Sequence, residues 1–228
     1  MVASVRRVYS IGDIVSYWNG GLVTSKGVGM AVPDWPNTFG YNMFLVPLDR
    51  WIGQYGIFEE HAHRLLASFV GLLTSILAVW LLAKESRLWV RRIGVVAFVL
   101  VVLQGILGGI RVTEINSNLG LIHGTVAQLF LIVICGIALF TSAWWERVTL
   151  TREQGFCFAE LKGLIVTVIC LLFVQLLLGA TMRHQHAGLA IWDFPLAHGQ
   201  IWPSTSLDSV ADYNKNRIEL QNQLYVQD

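Results

Sequence analysis

Charged residues are scarce in this sequence of 228 amino acids. Asp, Glu, Lys and Arg make up 14% of the chain, whereas about 25% is usual in soluble globular domains. A chain so poor in charge cannot cover a globular surface with water-exposed side chains, which excludes a soluble enzyme and a disordered tail. Its net charge of +1 provides no basic face, so we expect no nucleic-acid partner.

Cysteine is also scarce. The three cysteines are scattered along the chain, which excludes a disulfide framework and the close spacing of a zinc site. The amino-terminal segment lacks the apolar core of roughly 7–15 residues that a secretory signal peptide requires. Hydrophobic residues, by contrast, make up 54% of the chain, and the mean hydropathy is +0.56. This composition is typical of an integral membrane protein that contacts the lipid bilayer.

Four apolar segments are long enough to cross a bilayer, whose hydrocarbon core of about 30 Å requires about 20 residues of α-helix. Because backbone groups in lipid must satisfy their own hydrogen bonds, these segments should be helical despite their many Val and Ile residues. Short connectors make neighbouring helices antiparallel. The sequence therefore predicts an all-α fold, a polytopic transmembrane helical bundle with spans at about 60–83, 93–110, 119–145 and 163–182.

Basic residues are concentrated in two connectors, 84–92 and 146–162, whereas 111–118 holds only Arg111. Basic connectors face the cytoplasm or the mitochondrial matrix. The other segments, 20–59, 111–118 and 183–228, are therefore predicted to face outward. We expect a multi-pass protein of a bacterial plasma membrane or of the mitochondrial inner membrane.

Two segments of equal length resemble each other. Residues 29–40 read GMAVPDWPNTFG, and residues 188–199 read GLAIWDFPLAHG. Duplicated halves are common in membrane bundles, with the functional site near the symmetry axis. Asp34 and Asp193 occupy the same place in the two copies, close to a proline, and are expected to fix a turn through local backbone hydrogen bonds.

The duplication predicts three regions. Residues 1–19 are a degenerate or missing first span, because they carry charges and no apolar run of sufficient length. Residues 20–145 form an amino-terminal half with an outer loop at 20–59. Residues 160–228 begin a second homologous half that is truncated before its matching helices.

Two histidines lie at the outer ends of predicted spans, His63 in the first and His123 in the third. Both spans run from outside to inside, so the two imidazoles should lie at similar depth. Two neutral imidazoles on separate helices can bind haem iron axially. The alternative is that each histidine merely lies at headgroup level. A glycine cluster of the second span would either admit the flat macrocycle or pack helices: Gly105, Gly108 and Gly109.

Charged residues accompany these histidines. Glu60 lies one turn before His63 and could orient a ligand, move a proton or stabilise positive charge; its alternative is an ion pair with Arg64. Arg64 and Arg111 lie at the outer level, where they could bind haem propionates or simply anchor helix ends. His61 is expected to be structural. The glutamines of the spans are expected to form inter-helix hydrogen bonds: Gln104, Gln128 and Gln175.

Four motifs, in order, resemble the haem A synthase family of cytochrome oxidase assembly proteins: GGLVTSKGVGMAVPDWPNTFG, EHAHRLLAS, QGILGGIRV and LIHGTVAQLF. The resemblance covers residues 20–203. That family has eight spans in two homologous four-helix halves. It converts haem O to haem A by oxidising a ring methyl group to a formyl group, and it carries a b-type haem cofactor.

The resemblance implies that residues 20–145 bind haem O as substrate, with His63 and His123 as iron ligands and Glu60 as a catalytic residue. It implies haem A as product, and haem O synthase and cytochrome oxidase assembly factors as partners. The family spans that carry the histidines of the haem b cofactor have no counterpart in this sequence. Three alternatives therefore stay open: a non-catalytic b-type haem or electron-transfer protein, an inactive fragment of the synthase, and a structural or transporter-like bundle.

Overall fold

The structure, a computed structural model, describes residues 16, 18–147, 152–185, 187–188, 190–191 and 193–215. Most of them are helical. The helices are α1 (residues 18–25), α2 (Ile57–Lys84), α3 (Leu88–Thr113), α4 (Ser117–Phe140), α5 (Ala143–Arg147), α6 (Arg152–His184) and α7 (Leu207–Lys215). Two short strands, β1 (Asn37–Thr38) and β2 (Tyr41–Asn42), pair antiparallel, and Leu48–Arg50 form a 3-10 turn.

Four of these helices, α2, α3, α4 and α6, are long and apolar enough to cross a membrane. This confirms the predicted all-α membrane bundle. The predicted first span at 1–19 lies almost entirely outside the described residues. The chain divides into two compact units, residues 1–164 and 165–228.

The third span is shorter than the sequence predicts, because α4 ends at Phe140 rather than near 145. The hydroxyl groups of Thr141 and Ser142 donate to the carbonyls of Ile137 and Leu139, at 2.7 and 2.6 Å. These bonds satisfy the carbonyls that a helix end leaves without partners. The chain then turns and continues as the short helix α5. Hydropathy alone does not reveal this end, since apolar residues continue on both sides of it.

Helices α2, α3 and α4 pack as antiparallel neighbours around one apolar core. Buried residues of all three helices form it: Val70, Leu81, Val90, Ala97, Phe130, Ile134 and Ile137. Gly94 lets α3 approach α2 closely, because a Cβ there would lie 2.8 Å from the Leu81 side chain. The antiparallel order brings the start of α2, the end of α3 and the start of α4 to one end of the bundle. We call this the outer end, after its predicted side.

The segment between α1 and α2, residues 26–56, is called the outer loop. Helix α1 occupies the beginning of the predicted loop at 20–59, so the loop itself starts later. It includes β1, β2 and the 3-10 turn, and it buries Val32 and Thr38 completely. Two contacts hold its ends to α2: Lys26 bonds to Glu59, and the Gly56 N–H donates to the same carboxylate at 2.8 Å. The Glu59 hydrogen bond raises the pKa of Lys26.

The two copies of the repeated sequence fold into the same turn. The Asp34 carboxylate accepts the N–H groups of Phe39 and Gly40, both at 2.8 Å. In the second unit, Asp193 accepts the corresponding groups of residues 198 and 199, at 3.0 and 2.6 Å. The second donor of each turn is a glycine, with a φ of +79° at Gly40 and +76° at Gly199, a conformation that favours glycine. The prediction that the two aspartates fix turns is confirmed.

Candidate functional site

Two histidines and an arginine come together at the outer end of the bundle. His63 lies in the second turn of α2, His123 in the second turn of α4, and Arg111 near the end of α3. The two imidazoles are close enough to interact electrostatically, and Arg111 interacts with both. The structure therefore brings together three side chains that the sequence places 48 and 12 residues apart.

The His63 ring packs against helix α1. A Cβ atom added to Gly20 would lie 2.9 Å from the ring carbon Cε1, so only glycine lets α1 approach this closely. The Nδ1 atom of His63 is buried and has no hydrogen-bond partner. Helix α1 thus covers the ring without satisfying that nitrogen.

The His123 ring packs against Gly108 of α3, where a Cβ atom would lie 3.3 Å from Cε1. Its Nδ1 atom is also buried without a partner. The neighbouring Gly109 receives the Trp35 indole of the outer loop, which a Cβ would meet at 2.3 Å. The glycine cluster of α3 therefore makes room for one imidazole and one indole. Gly105 faces open space.

Buried polar atoms without partners are concentrated around this histidine pair. Among the described residues there are five such side-chain atoms: Asn19 Oδ1, His63 Nδ1, Gln104 Oε1, Arg111 Nε and His123 Nδ1. Asn19 precedes the glycine that touches His63, and the Gln104 side chain hydrogen-bonds to the His123 backbone at 3.0 Å. Each unsatisfied buried group costs about 1–3 kcal/mol. All five lie on α1 to α4, and a ligand with polar groups bound there would satisfy them.

Glu60 and Arg64 form a buried ion pair at 2.7 Å, the alternative that the sequence left open for Glu60. The other carboxylate oxygen of Glu60 accepts the Val32 N–H at 2.9 Å. The side chains of the pair are only 5% and 9% exposed. Both oxygens of Glu60 are therefore engaged, one with the helix and one with the outer loop.

Arg64 holds the outer loop against α2. Its guanidinium donates to three loop carbonyls, those of Val32 at 2.8 Å, Asp34 at 2.7 Å and Asn37 at 3.1 Å. The guanidinium thus bonds to the backbone of the same turn whose N–H groups bond to the Asp34 carboxylate. The propionate role predicted for Arg64 stays a prediction, since these contacts direct the guanidinium to the loop.

His61 lies under the same loop and is 1% exposed. Its Nδ1 atom is 3.2 Å from Thr38 Oγ1, and its ring meets Trp51 edge to face with the centroids 4.7 Å apart. The prediction that His61 is structural is confirmed.

Sequence reasoning missed Asn19 and Trp35. In the sequence, only their positions beside the glycines and prolines of the first motif would have indicated them.

The comparison with protein families identifies a match over most of the chain. The model of the COX15-CtaA family, described as cytochrome oxidase assembly protein, matches residues 50–226. The heme A synthase of Halalkalibacterium halodurans is 28% identical over 202 residues, which cover 86% of this chain and 64% of that protein. That of Shouchella clausii is 28% identical over 208 residues, covering 89% and 66%. That of Brucella ovis is 33% identical over 176 residues, covering 73% and 46%.

The chain spans less than two thirds of the length of these relatives. No solved structure matches it. The family match includes α2, α3 and α4 and therefore His63, Arg111 and His123. Its extent, together with four helices able to cross a membrane, shows that this multi-pass membrane protein belongs to the COX15-CtaA family of cytochrome oxidase assembly proteins.

Proposed function

We propose that this chain binds haem O at the outer end of its bundle, where His63 and His123 would ligate the iron. A ring methyl group is then oxidised to the formyl group of haem A, with the oxygen atom coming from water or dioxygen and the four electrons passing to an external acceptor. The observation that carries the proposal is the cluster of unpartnered buried polar atoms around these two imidazoles. The relatives named above are heme A synthases, which supports the reaction.

The two histidines suit a haem iron chemically. Iron binds a neutral imidazole nitrogen, and a buried imidazole beside a cation such as Arg111 is favoured in that form. The rings come from two helices that are both packed on α3, so their separation is set by the bundle rather than by a flexible loop. Glycines at 20 and 108 bring a backbone against each ring, which limits its rotation.

Arg111 is the cation best placed for a propionate. Its Nε atom is buried without a partner, whereas Arg64 donates to the outer loop. Its guanidinium lies against Gly29, where a Cβ would be 2.7 Å from one terminal nitrogen. A carboxylate of the ligand would complete the hydrogen bonds of this buried charge, and charge-assisted bonds of that kind are the strong ones.

Glu60 acts first by ordering the outer loop. Its bonds to the Val32 N–H and to Arg64 hold residues 29–40 over the start of α2. Arg111 interacts electrostatically with the same carboxylate, so Glu60 lies close to the histidine and arginine cluster. This place beside the cluster supports the catalytic role that the family resemblance implies for Glu60.

When bound, haem O supplies the methyl group that is oxidised. The preceding reaction must make haem O, as haem O synthase does. The product, haem A, is then used in the assembly of a haem-copper oxidase. We propose no residues of this chain for the haem b cofactor that the family resemblance implies.

A second candidate function is haem binding or electron transfer without oxidation. The buried imidazole pair supports it equally, since binding haem iron requires only these two ligands. Both functions need the same two histidines. They differ in whether haem A is formed.

The test is conversion of haem O to haem A in a host that makes haem O but lacks its own synthase. Haems extracted from the membranes are separated by chromatography. We expect haem A with the unchanged chain and none with His63→Ala or His123→Ala. His198→Ala is the matched control, because that ring stacks on Tyr213 of α7 with the centroids 3.8 Å apart. Haem bound without any haem A would support the second function and refute the first.

A further inference from the structure

Gln104 contacts His123 from the neighbouring helix. Its Nε2 atom donates to the His123 backbone carbonyl at 3.0 Å. A carbonyl oxygen can accept two hydrogen bonds, so this bond adds to the bonds within α4 and does not replace one. The bond crosses from α3 to α4 and confirms the prediction of an inter-helix role for this glutamine.

The same face of α3 also holds the His123 ring. Gly108 lies one turn after Gln104, at i+4, and therefore on the same side of the helix. The ring packs on Gly108, with Cε1 3.3 Å from where a Cβ would be, and the Gln104 backbone lies beside the imidazole. His123 is thus held at its backbone by one residue and at its ring by the next turn.

The other atom of the amide shows that packing alone does not explain Gln104. Its Oε1 is buried and accepts no hydrogen bond. A buried acceptor without a donor is unfavourable, and an apolar side chain of the same length would avoid it. What Gln104 adds over such a side chain is the donor to His123.

We infer that Gln104 is a positioning residue that fixes the depth and orientation of His123 as an iron ligand. This inference rests on the proposed function, since it presupposes that His123 binds haem iron. Partners that hold the ring nitrogen of a metal-binding histidine change metal affinity by about 10- to 100-fold when they are removed, and a bond to the backbone of the histidine should act at the low end of that range. A residue that only fills space between α3 and α4 would change the yield of folded protein and leave the ligand field of the bound iron unchanged.

The test uses the purified full chain in detergent, titrated with hemin. Gln104→Met keeps the length of the side chain and removes the donor. We expect hemin to bind about 10-fold more weakly, and the electron paramagnetic resonance of the low-spin bis-imidazole iron to shift. Gln175→Met is the matched control, because Gln175 lies in α6 and is exposed; it should match the unchanged chain in both measurements.

Gln104→Leu provides a second variant if the methionine variant does not fold. It also removes the donor and leaves an apolar side chain, so the same weakening and the same spectral shift are expected. Unchanged affinity and resonance in either folded variant would overturn the inference while leaving the histidine site intact. Failure of the unchanged chain to bind hemin would instead overturn the proposed function, and this inference with it.

Discussion

Removing the Arg64 side chain should release the outer loop. In Arg64→Met, the Glu60 carboxylate loses the cation that hydrogen-bonds to it, while its side chain stays almost completely buried, at 5% exposed. Three loop carbonyls also lose their donor. Breaking a buried ion pair by removing one partner costs about 3–5 kcal/mol. Because about 1.4 kcal/mol corresponds to a tenfold change in an equilibrium constant, opening of the loop should become about 10²- to 10⁴-fold more favourable.

Amide hydrogen exchange of residues 29–40, measured by mass spectrometry in detergent, reports this opening. The Val32 N–H is a direct reporter, since it donates to Glu60. Arg50→Met is the matched control, because Arg50 is 64% exposed and pairs with the Asp49 carboxylate at 4.0 Å. An exposed pair of that kind contributes at most about 1 kcal/mol, so exchange should rise by less than about fivefold.

The double variant Glu60→Gln with Arg64→Met separates charge from packing. It removes the uncompensated carboxylate, so exchange should be slower than in Arg64→Met alone. If Arg64→Met exchanges residues 29–40 no faster than Arg50→Met does, the ion pair does not hold the loop and the reasoning is refuted.

Two further predictions concern α1 and the connector at 84–92. Gly20→Ala places a methyl group 2.9 Å from His63 Cε1 and should weaken hemin binding about 10-fold, since overpacking typically costs 1–3 kcal/mol. Gly21→Ala, whose added Cβ would meet nothing within 4 Å, should bind hemin as the unchanged chain does. Equal affinities of the two variants would show that α1 does not hold the ring. The Arg87 hydrogen bond lowers the pKa of Glu85 from the usual 4.5 to about 2, so its stabilisation is complete above pH 4.5 and is lost as the pH falls through about 2. Glu85→Gln should therefore flatten the fall in melting temperature over that interval, and an unchanged pH profile would contradict the assignment.

The spans could be predicted because lipid imposes a length and an apolar composition that the sequence displays directly. The end of α4 at Phe140 could not, since it depends on hydroxyl groups that bond back to the last carbonyls. Hydropathy does not register such bonds.

The two histidines could be predicted as a pair because helix direction alone places them at one end of the bundle. The sequence could not decide whether Glu60 is catalytic or pairs with Arg64, because His63 and Arg64 both lie one turn after it on α2. Only the folded outer loop shows that its carboxylate bonds to Val32 and Arg64 at once. The sequence could not show that the side-chain oxygens of Asn19 and Gln104 are buried without partners, because this depends on how the helices pack.

Haem binding by the purified chain tests the central claim most directly. Titrated with hemin and then reduced, the unchanged chain and His198→Ala should both show the optical spectrum of low-spin haem with two imidazole ligands. His63→Ala and His123→Ala, once shown to be folded, should each lose it. A bis-imidazole spectrum that survives both substitutions, or that never forms in the unchanged chain, would contradict the assignment of His63 and His123 as haem ligands.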